Sequence, residues 1–362
     1  ELILALIKPL LGLGLLLTNT ILLIWLERKV VAGMQSRVGP DRAGPFGILQ
    51  TLADAIKLLL KEQILPSKAD RAMYLLAPLI ALVPSFLIFM IIPLGPDITV
   101  EWQNALYTIP LVGADLNVGV LYFLALSSIA VYSVVLAGWS SGSKYPLLGG
   151  VRASAQMISY EAAMGLALVP VILYSGSLSL VDIVNSQSGN LSSSIPILNT
   201  IVSFIPKWNI FPQFVAFGIF FIAAVAEVNR APFDLVEAEQ ELVGGFHTEY
   251  SGFRFAMFFL AEYINMFNMC AITATFFLGG WLGPTFEGIL PPIFSVIMPI
   301  IWLGVKTFLL LFVFVWIRAT LPRLRYDQLM ELGWKRMIPL SLVWLILSAI
   351  VLGLREFGLP WS

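Results

Sequence analysis

Uninterrupted apolar runs of about 20 residues, the length an α-helix needs to cross a bilayer, recur from one end of this chain to the other. Soluble helices alternate apolar and polar positions at the helical period, and these runs do not. In hydrocarbon every backbone N–H and C=O must be paired within its own helix, so the runs dictate an all-α membrane protein. We place eight transmembrane helices at 2–26, 73–93, 118–138, 156–174, 211–226, 255–278, 294–317 and 337–354. An even number puts both termini on one side. The segments after the first, third, fifth and seventh helices hold most of the 21 Lys and Arg residues, so by the positive-inside rule they are cytoplasmic and both ends external. No soluble domain interrupts the pattern. We therefore expect a single polytopic domain over 1–362, with a first cytoplasmic loop at 27–72 and an acidic cytoplasmic loop at 227–254. The first run is too long for a signal-peptide core and is read as a retained helix. The external segment at 175–211, rich in Ser and Asn, reads as a surface loop with a short helix.

Charge needs a reason in such a chain, because only 12% of its residues are Asp, Glu, Lys or Arg. The net charge of −1 speaks against nucleic acid as a partner. One Cys and one His are too few for a disulfide, a cysteine-held cluster, or a zinc or haem site, so any electrons handled here are carried by other groups. Cys270, inside the sixth apolar run, is read as packing, and His247 as a loop hydrogen-bonding group.

Carboxylates concentrate between residues 226 and 263, where Glu227, Asp234, Glu237, Glu239, Glu241, Glu249 and Glu262 surround Arg230 and Arg254. If 234–241 is helical, Asp234, Glu237 and Glu241 share a face and Glu239 points elsewhere. Such like charges raise one another's affinity for protons, as a chain of proton-holding sites requires. A solvated acidic loop between two membrane helices accounts for the spacing equally well. Glu161 and Glu262 lie deeper, roughly 9 and 12 Å from the cytoplasmic ends of their expected helices. Glutamate is too short to reach the surface from there, so each must be neutral, hydrated or paired. Lys306, near the middle of the seventh run, either supplies the counter-charge or reaches toward one face.

The first cytoplasmic loop carries turn-forming Gly39-Pro40 and Gly44-Pro45 pairs, then a helix at 47–61. There Gln50, Asp54, Lys57 and Lys61 lie opposite Leu52, Ile56 and Leu59, which suits a helix lying on the membrane surface with Lys61 among lipid phosphates. Glu27, Arg28 and Asp54 would form a polar opening beside an apolar interior, fit for an amphiphile with a polar head and a long tail.

Long strings of residues, taken in order, are more specific still. LERK, QSRVGPDRAGPFGILQ, LADAIKLLLKE, SGSKYPLLGGVRASAQMISYE, AEVNRAPFDLVEAEQELVGGFHTEYSGFRFAMFFLAEY, FLGGW and FVWIRATLPRLRYDQLMELGWK span nearly the whole chain. Together they resemble the quinone-binding H subunit, subunit 1 in mitochondria, of bacterial NADH:quinone oxidoreductase, respiratory complex I. The resemblance implies a membrane subunit of the bacterial inner membrane at the junction of the hydrophilic and membrane arms, in contact with other membrane-arm subunits, with the quinone-facing hydrophilic-arm subunits and with lipid. It implies quinone as substrate, with NADH, FMN and iron–sulfur clusters in partner subunits and no redox cofactor or metal in this chain. Carried over by position, Glu27, Arg28, Arg37, Phe46 and Asp54 line the quinone channel. Glu161, Glu227 and Glu262 correspond to the family's intramembrane carboxylates, and Glu237, Glu239, Glu241 and Glu249 to the acidic loop beneath the headgroup. The sequence departs from some relatives at Ser128, where they carry a glutamate, so no proton path is assigned through the third helix; Thr51 replaces a frequent proline. A membrane subunit of a hydrogenase or formate hydrogenlyase shares the fold, but the intact acidic loop speaks against it. A secondary transporter would show inverted repeats, and none is visible.

Overall fold

The computed structural model describes residues 2–102, 105–190, 206–234, 243–284 and 293–357. Seven of its helices are long and apolar enough to cross a membrane: α1 (Leu2–Met34), α3 (Arg71–Met90), α4 (Gly119–Ser140), α5 (Lys144–Ser175), α8 (Gly252–Phe277), α9 (Ile293–Thr320) and α11 (Ile338–Phe357), the last continuing a short α10 (Tyr326–Glu331) through a π-helical turn at Leu332–Met337. Between them lie α2 (Gln50–Leu60), α6 (Leu180–Ser186) and α7 (Phe214–Glu227). A two-stranded antiparallel hairpin, β1 (Ile98–Trp102) with β2 (Ala105–Ile109), occupies the stretch after α3 and pairs Ile98 with Ile109. Apolar length alone gave no sign of it.

All eight expected membrane segments contain a helix, but their ends differ in ways that matter. α1 continues two turns past residue 26, so Glu27 and Arg28 stand on helix and not in a loop. α5 begins at Lys144, three turns early, and carries Arg152 and Glu161 on one continuous rod. Glu161 is therefore about 26 Å along its helix, and Glu262 about 15 Å along α8, both farther from the start of their helices than the sequence-based ends implied. Polar residues such as Gln156 read as boundaries in the sequence, yet they are helix interior facing a protein neighbour.

α7 is the exception in length. Its 14 residues span about 21 Å, short of a hydrocarbon core of about 30 Å. The chain then runs on as irregular backbone with Val228, Arg230, Ala231, Phe233 and Asp234 all buried. Irregular backbone at membrane depth persists only where protein or water satisfies it. Here Gln156 of α5 donates from Nε2 to the carbonyls of Ala226 (2.9 Å) and Phe233 (2.8 Å), one at each end of the excursion.

The helices pack in sequence neighbours, α3 on α4, α4 on α5 and α5 on α7, while α8 returns to lean on α3 and α9. Phe220 of α7 meets Phe276 and Phe277 of α8 at centroid distances of 6.1 and 5.6 Å, and Cys270 is fully buried among such side chains, as packing predicts. One close approach dictates glycine: a Cβ on Gly149 of α5 would lie 2.7 Å from the Cα of Gly245, so the 3₁₀ turn Gly245–His247 rests directly on the α5 backbone. Val343, Ile346, Ile350 and Val351 of α11 are left uncovered, as a helix facing hydrocarbon requires.

Lys306 is neither a counter-charge to the deep glutamates nor a reaching side chain. It is buried, and its Nζ donates to the carbonyls of Leu278 (2.6 Å), Gly280 (2.9 Å) and Leu282 (2.5 Å), 4.3 Å from the centre of the Trp208 ring. These carbonyls follow the C-terminus of α8, where a cation also meets the negative end of the helix dipole. Lys306→Met should therefore lower stability by about 3 kcal/mol, read as an earlier thermal transition of the purified complex in detergent, with the apparent KM for quinone unchanged. A wild-type transition would remove Lys306 from this capping role.

Candidate functional site: a polar mouth and a buried ion network

Glu27 and Arg28 are consecutive on α1, so their side chains leave the helix about 100° apart. Arg28 faces outward. Its Nη1 lies 2.6 Å from Asp54 Oδ2 of α2, and Gln50 Nε2 donates to Asp54 Oδ1 at 3.1 Å. These three residues, with Arg37 and the backbone turn at Gly39-Pro40, line an open concavity of about 480 Å³. α2 itself begins at Gln50, three residues later than the sequence suggested, because 44–49 coils tightly. Gly47 has φ +77°, and a Cβ there would meet the Pro40 carbonyl oxygen at 2.2 Å. Thr51 falls in the first turn of α2, and Leu52, Ile56 and Leu59 stay uncovered, as an interfacial helix requires. Phe46 departs from its expected place. It is 73% exposed, holds φ +55°, and accepts a hydrogen bond from Trp25 Nε1 on its carbonyl at 2.9 Å; it does not line the concavity.

Glu27 faces inward and leaves the mouth altogether. It accepts hydrogen bonds from Arg230 Nη1 (3.1 Å) and Arg318 Nη1. Arg230 Nε lies 3.0 Å from Glu262 Oε1, and its guanidinium sits 4.4 Å from the centre of the Tyr263 ring. Burial disfavours the charge on Arg230, and the carboxylates of Glu262 and Glu27 compensate it. α1, the irregular segment after α7, α8 and α9 thus meet at one set of alternating charges, with Glu27 and Arg230 buried and Glu262 and Arg318 half-buried. A second pair ties the same segment down, Arg323 Nη2 to buried Asp234 Oδ2 at 3.2 Å.

Beside this network lies a half-open cavity of about 70 Å³ whose largely apolar wall includes Glu227, Asn229, Asp234, His247, Glu262 and Asn265. At about 10–15 Å³ per water it has room for a few water molecules and is far smaller than a site for an organic ring system. Glu227 is buried, and its Oε2 has no hydrogen-bond partner. His247 touches Phe246, Phe255 and Phe259 at centroid distances of 4.5, 5.7 and 6.1 Å, so it is an aromatic packing element as much as a loop polar group. Glu161 stands apart, receiving the hydroxyls of Ser127 and Ser128 and bordering a shallow groove with Leu124, Ile158 and Leu166 on the outer face of α4 and α5. Glu249 is half-buried, and its carbonyl accepts from Tyr74 OH at 2.8 Å where Tyr74 stacks on Tyr250. Glu237, Glu239 and Glu241, and the helix expected over 234–241, lie outside the described residues apart from Asp234.

The sequence thus supplied two groups that the fold keeps distinct, Arg28, Arg37 and Asp54 at the mouth and Glu227 and Glu262 at the cavity, and the fold turns Glu27 away from the first toward Arg230 and Arg318. The sequence overlooked Arg318 and Arg323 as partners. Their signal was a run of basic residues just past an apolar helix, which reads as ordinary cytoplasmic charge until the fold turns some of it inward.

Known proteins bear on this arrangement. The family model described as NADH dehydrogenase matches residues 7–349 of the chain. The chain belongs to that family. An NADH-quinone oxidoreductase H subunit of Koribacter versatilis is 48% identical over 362 residues, covering 98% of both chains. The like-named protein of Syntrophobacter fumaroxidans is 51% identical over 331 residues, covering 91% of this chain and 90% of its own. That of Ralstonia nicotianae is 50% identical over 338 residues, covering 93% and 89%. Membership of the NADH dehydrogenase family agrees with a polytopic helical chain, and it gives the mouth and the ion network an oxidoreductase setting.

Proposed function

We propose that this chain is the membrane subunit of a proton-translocating NADH:quinone oxidoreductase, that its mouth receives the quinone, and that its buried carboxylates convert quinone reduction into proton movement. The observation carrying this reading is that Glu27 and Arg28, one residue apart on α1, belong to different charge systems. Arg28 and Asp54 offer a donor and an acceptor at an interfacial opening, matching a quinone headgroup's carbonyls and, after uptake of two electrons and two protons, the hydroxyls of the quinol. Glu27 ties the same turn of α1 to Arg230 and, through it, to Glu262 at the water-sized cavity. A change of charge at the mouth is thereby felt at the cavity through one rigid helix. Electrons would arrive from partner subunits bearing NADH, FMN and iron–sulfur clusters, docked on the cytoplasmic loops. The chain would sit in the bacterial inner membrane with both termini external, among the other membrane-arm subunits.

Arg28→Ala and Asp54→Ala test the mouth. Each should lower quinone-dependent turnover or raise its apparent KM by roughly tenfold, a loss of about 1.4 kcal/mol, while NADH oxidation by a water-soluble artificial acceptor stays near wild type. Parallel loss of both activities would mean failed assembly. Wild-type quinone kinetics in both variants would remove these residues from the site.

A further inference from the structure

The loop between α9 and α10 is tied down on its inner side. Arg323 reaches buried Asp234 at 3.2 Å, and the backbone N–H of Leu324 donates to the Pro232 carbonyl at 3.0 Å, both in the irregular segment after α7. On its outer side the same loop presents Arg325, whose Nε donates to Asp327 Oδ1 at 2.6 Å and whose Nη2 donates to Oδ2. Arg152 of α5 stands nearby, its guanidinium carbon 5.7 Å from the centre of the Tyr326 ring. Arg152, Arg325, Tyr326 and Asp327 line an open concavity of about 460 Å³.

Next to this polar lining the surface turns apolar. About 9 Å further along α5 than Arg152, Ile158 is 55% exposed. Its neighbour Ser159 accepts a hydrogen bond from Trp334 Nε1 at 2.8 Å, and the Trp334 side chain is left 54% exposed. Trp334 lies in the π-helical turn that leads into α11, whose Leu340, Val343 and Ile346 are uncovered. Tryptophan is the residue favoured at headgroup level, with its ring toward the tails and its N–H bonded. The concavity is therefore the polar cap of a surface that meets hydrocarbon, and its two parts follow one another as the head and tails of a lipid do.

Charge and hydrogen bonding narrow the head. Two guanidinium groups and one carboxylate give the lining one more positive than negative charge, which matches the single negative charge of a phosphodiester. Each oxygen of Asp327 can accept a further bond beside the one from Arg325, so the group next to the phosphate must be a donor. Choline has no donor, and ethanolamine brings a second cation beside Arg325, whereas glycerol brings neutral hydroxyls. We infer that this concavity binds phosphatidylglycerol, with its phosphate between Arg152 and Arg325, its glycerol hydroxyls on Asp327 and an acyl chain over Ile158 and Trp334. The bound lipid braces from outside the loop whose inner side holds Asp234.

The test uses the complete purified complex in phosphatidylcholine nanodiscs that carry a trace of phosphatidylglycerol with a photoactivatable diazirine in its acyl chain. After illumination, mass spectrometry should find the label on α5 near Ile158 and on the turn that holds Trp334. Unlabelled phosphatidylglycerol should displace it, while equal amounts of phosphatidylethanolamine or further phosphatidylcholine displace little and inorganic phosphate none. Arg152→Gln and Asp327→Asn act on the concavity and not on the core, so each should assemble in wild-type amounts and lower the labelling by about tenfold, the effect of one charge-assisted hydrogen bond. Undiminished labelling in both variants, or displacement by phosphatidylcholine or phosphatidylethanolamine as effective as by phosphatidylglycerol, would overturn the assignment. Displacement by inorganic phosphate would make this a site for a soluble anion and not for a lipid. Absence of label, with residues 325–327 cross-linking to another subunit, would make it a protein contact.

Discussion

Arg230→Ala should reduce the amount of assembled complex several-fold, the largest effect expected of any single substitution in this chain. Arg230 is buried between Glu27 and Glu262, and breaking a buried pair by removing one partner costs about 3–5 kcal/mol, because a charge is left in low dielectric without compensation. Two carboxylates lose a partner here, although Arg318 still serves Glu27. Arg230→Lys keeps the charge but not the forked donors, and it cannot reach both carboxylates with the same geometry, so it should fall between wild type and alanine. Arg230→Met combined with Glu262→Gln should assemble better than Arg230→Met alone, since the orphaned charge goes with its partner. Native electrophoresis of membranes, with activity staining for NADH oxidation, reads all four. Wild-type amounts of complex from Arg230→Ala would show that the network does not hold the bundle together.

Glu227→Gln should leave assembly intact and abolish most function. The amide keeps the size of the carboxyl and most of its hydrogen-bonding capacity, so the cavity survives in shape. What disappears is the exchangeable proton. Turnover and proton uptake should therefore fall together by roughly a hundredfold, the lower end of the range attributed to a positioned proton-transfer group. NADH oxidation with a soluble acceptor, which bypasses the membrane chain, should be unaffected. If quinone reduction runs at wild-type speed with wild-type proton stoichiometry, Glu227 is only a buried structural carboxyl.

Much of this was legible in sequence because hydrocarbon leaves few options. Apolar runs must be helices, so the positions of all eight could be read, and charges buried in so apolar a chain need partners, so Glu161, Glu227 and Glu262 stood out. Pairing was harder to read, because it depends on which way each side chain leaves its helix. Glu27 and Arg28 looked like one polar opening when adjacent residues on a helix must diverge, and that divergence could have been noticed once α1 was allowed to run past the last apolar residue. Arg318 and Lys306 show the two faces of the same difficulty. Basic residues near a membrane end are usually solvated, yet Arg318 turns back to Glu27 across 291 residues of sequence, and Lys306, in mid-helix, donates to carbonyls just past the end of α8. The hairpin at Ile98–Ile109 was hidden because its alternation is short and lies between stronger signals.

The charge set around Arg230 also orders the way this chain enters its membrane. Glu27 is synthesised first, Arg230 and Glu262 much later, and Arg318 last, so neither Glu27 nor Arg230 meets its full set of partners as it emerges from the ribosome. An unpaired charge that must pass into hydrocarbon costs up to about 2.5–3.5 kcal/mol by insertion scales, so α1 settles fully only when the later segments supply partners for Glu27. Closure of the set is then a late, all-or-none step that only a completed chain can reach, and truncated or stalled products are left marked by an unmet charge that membrane proteases can recognise.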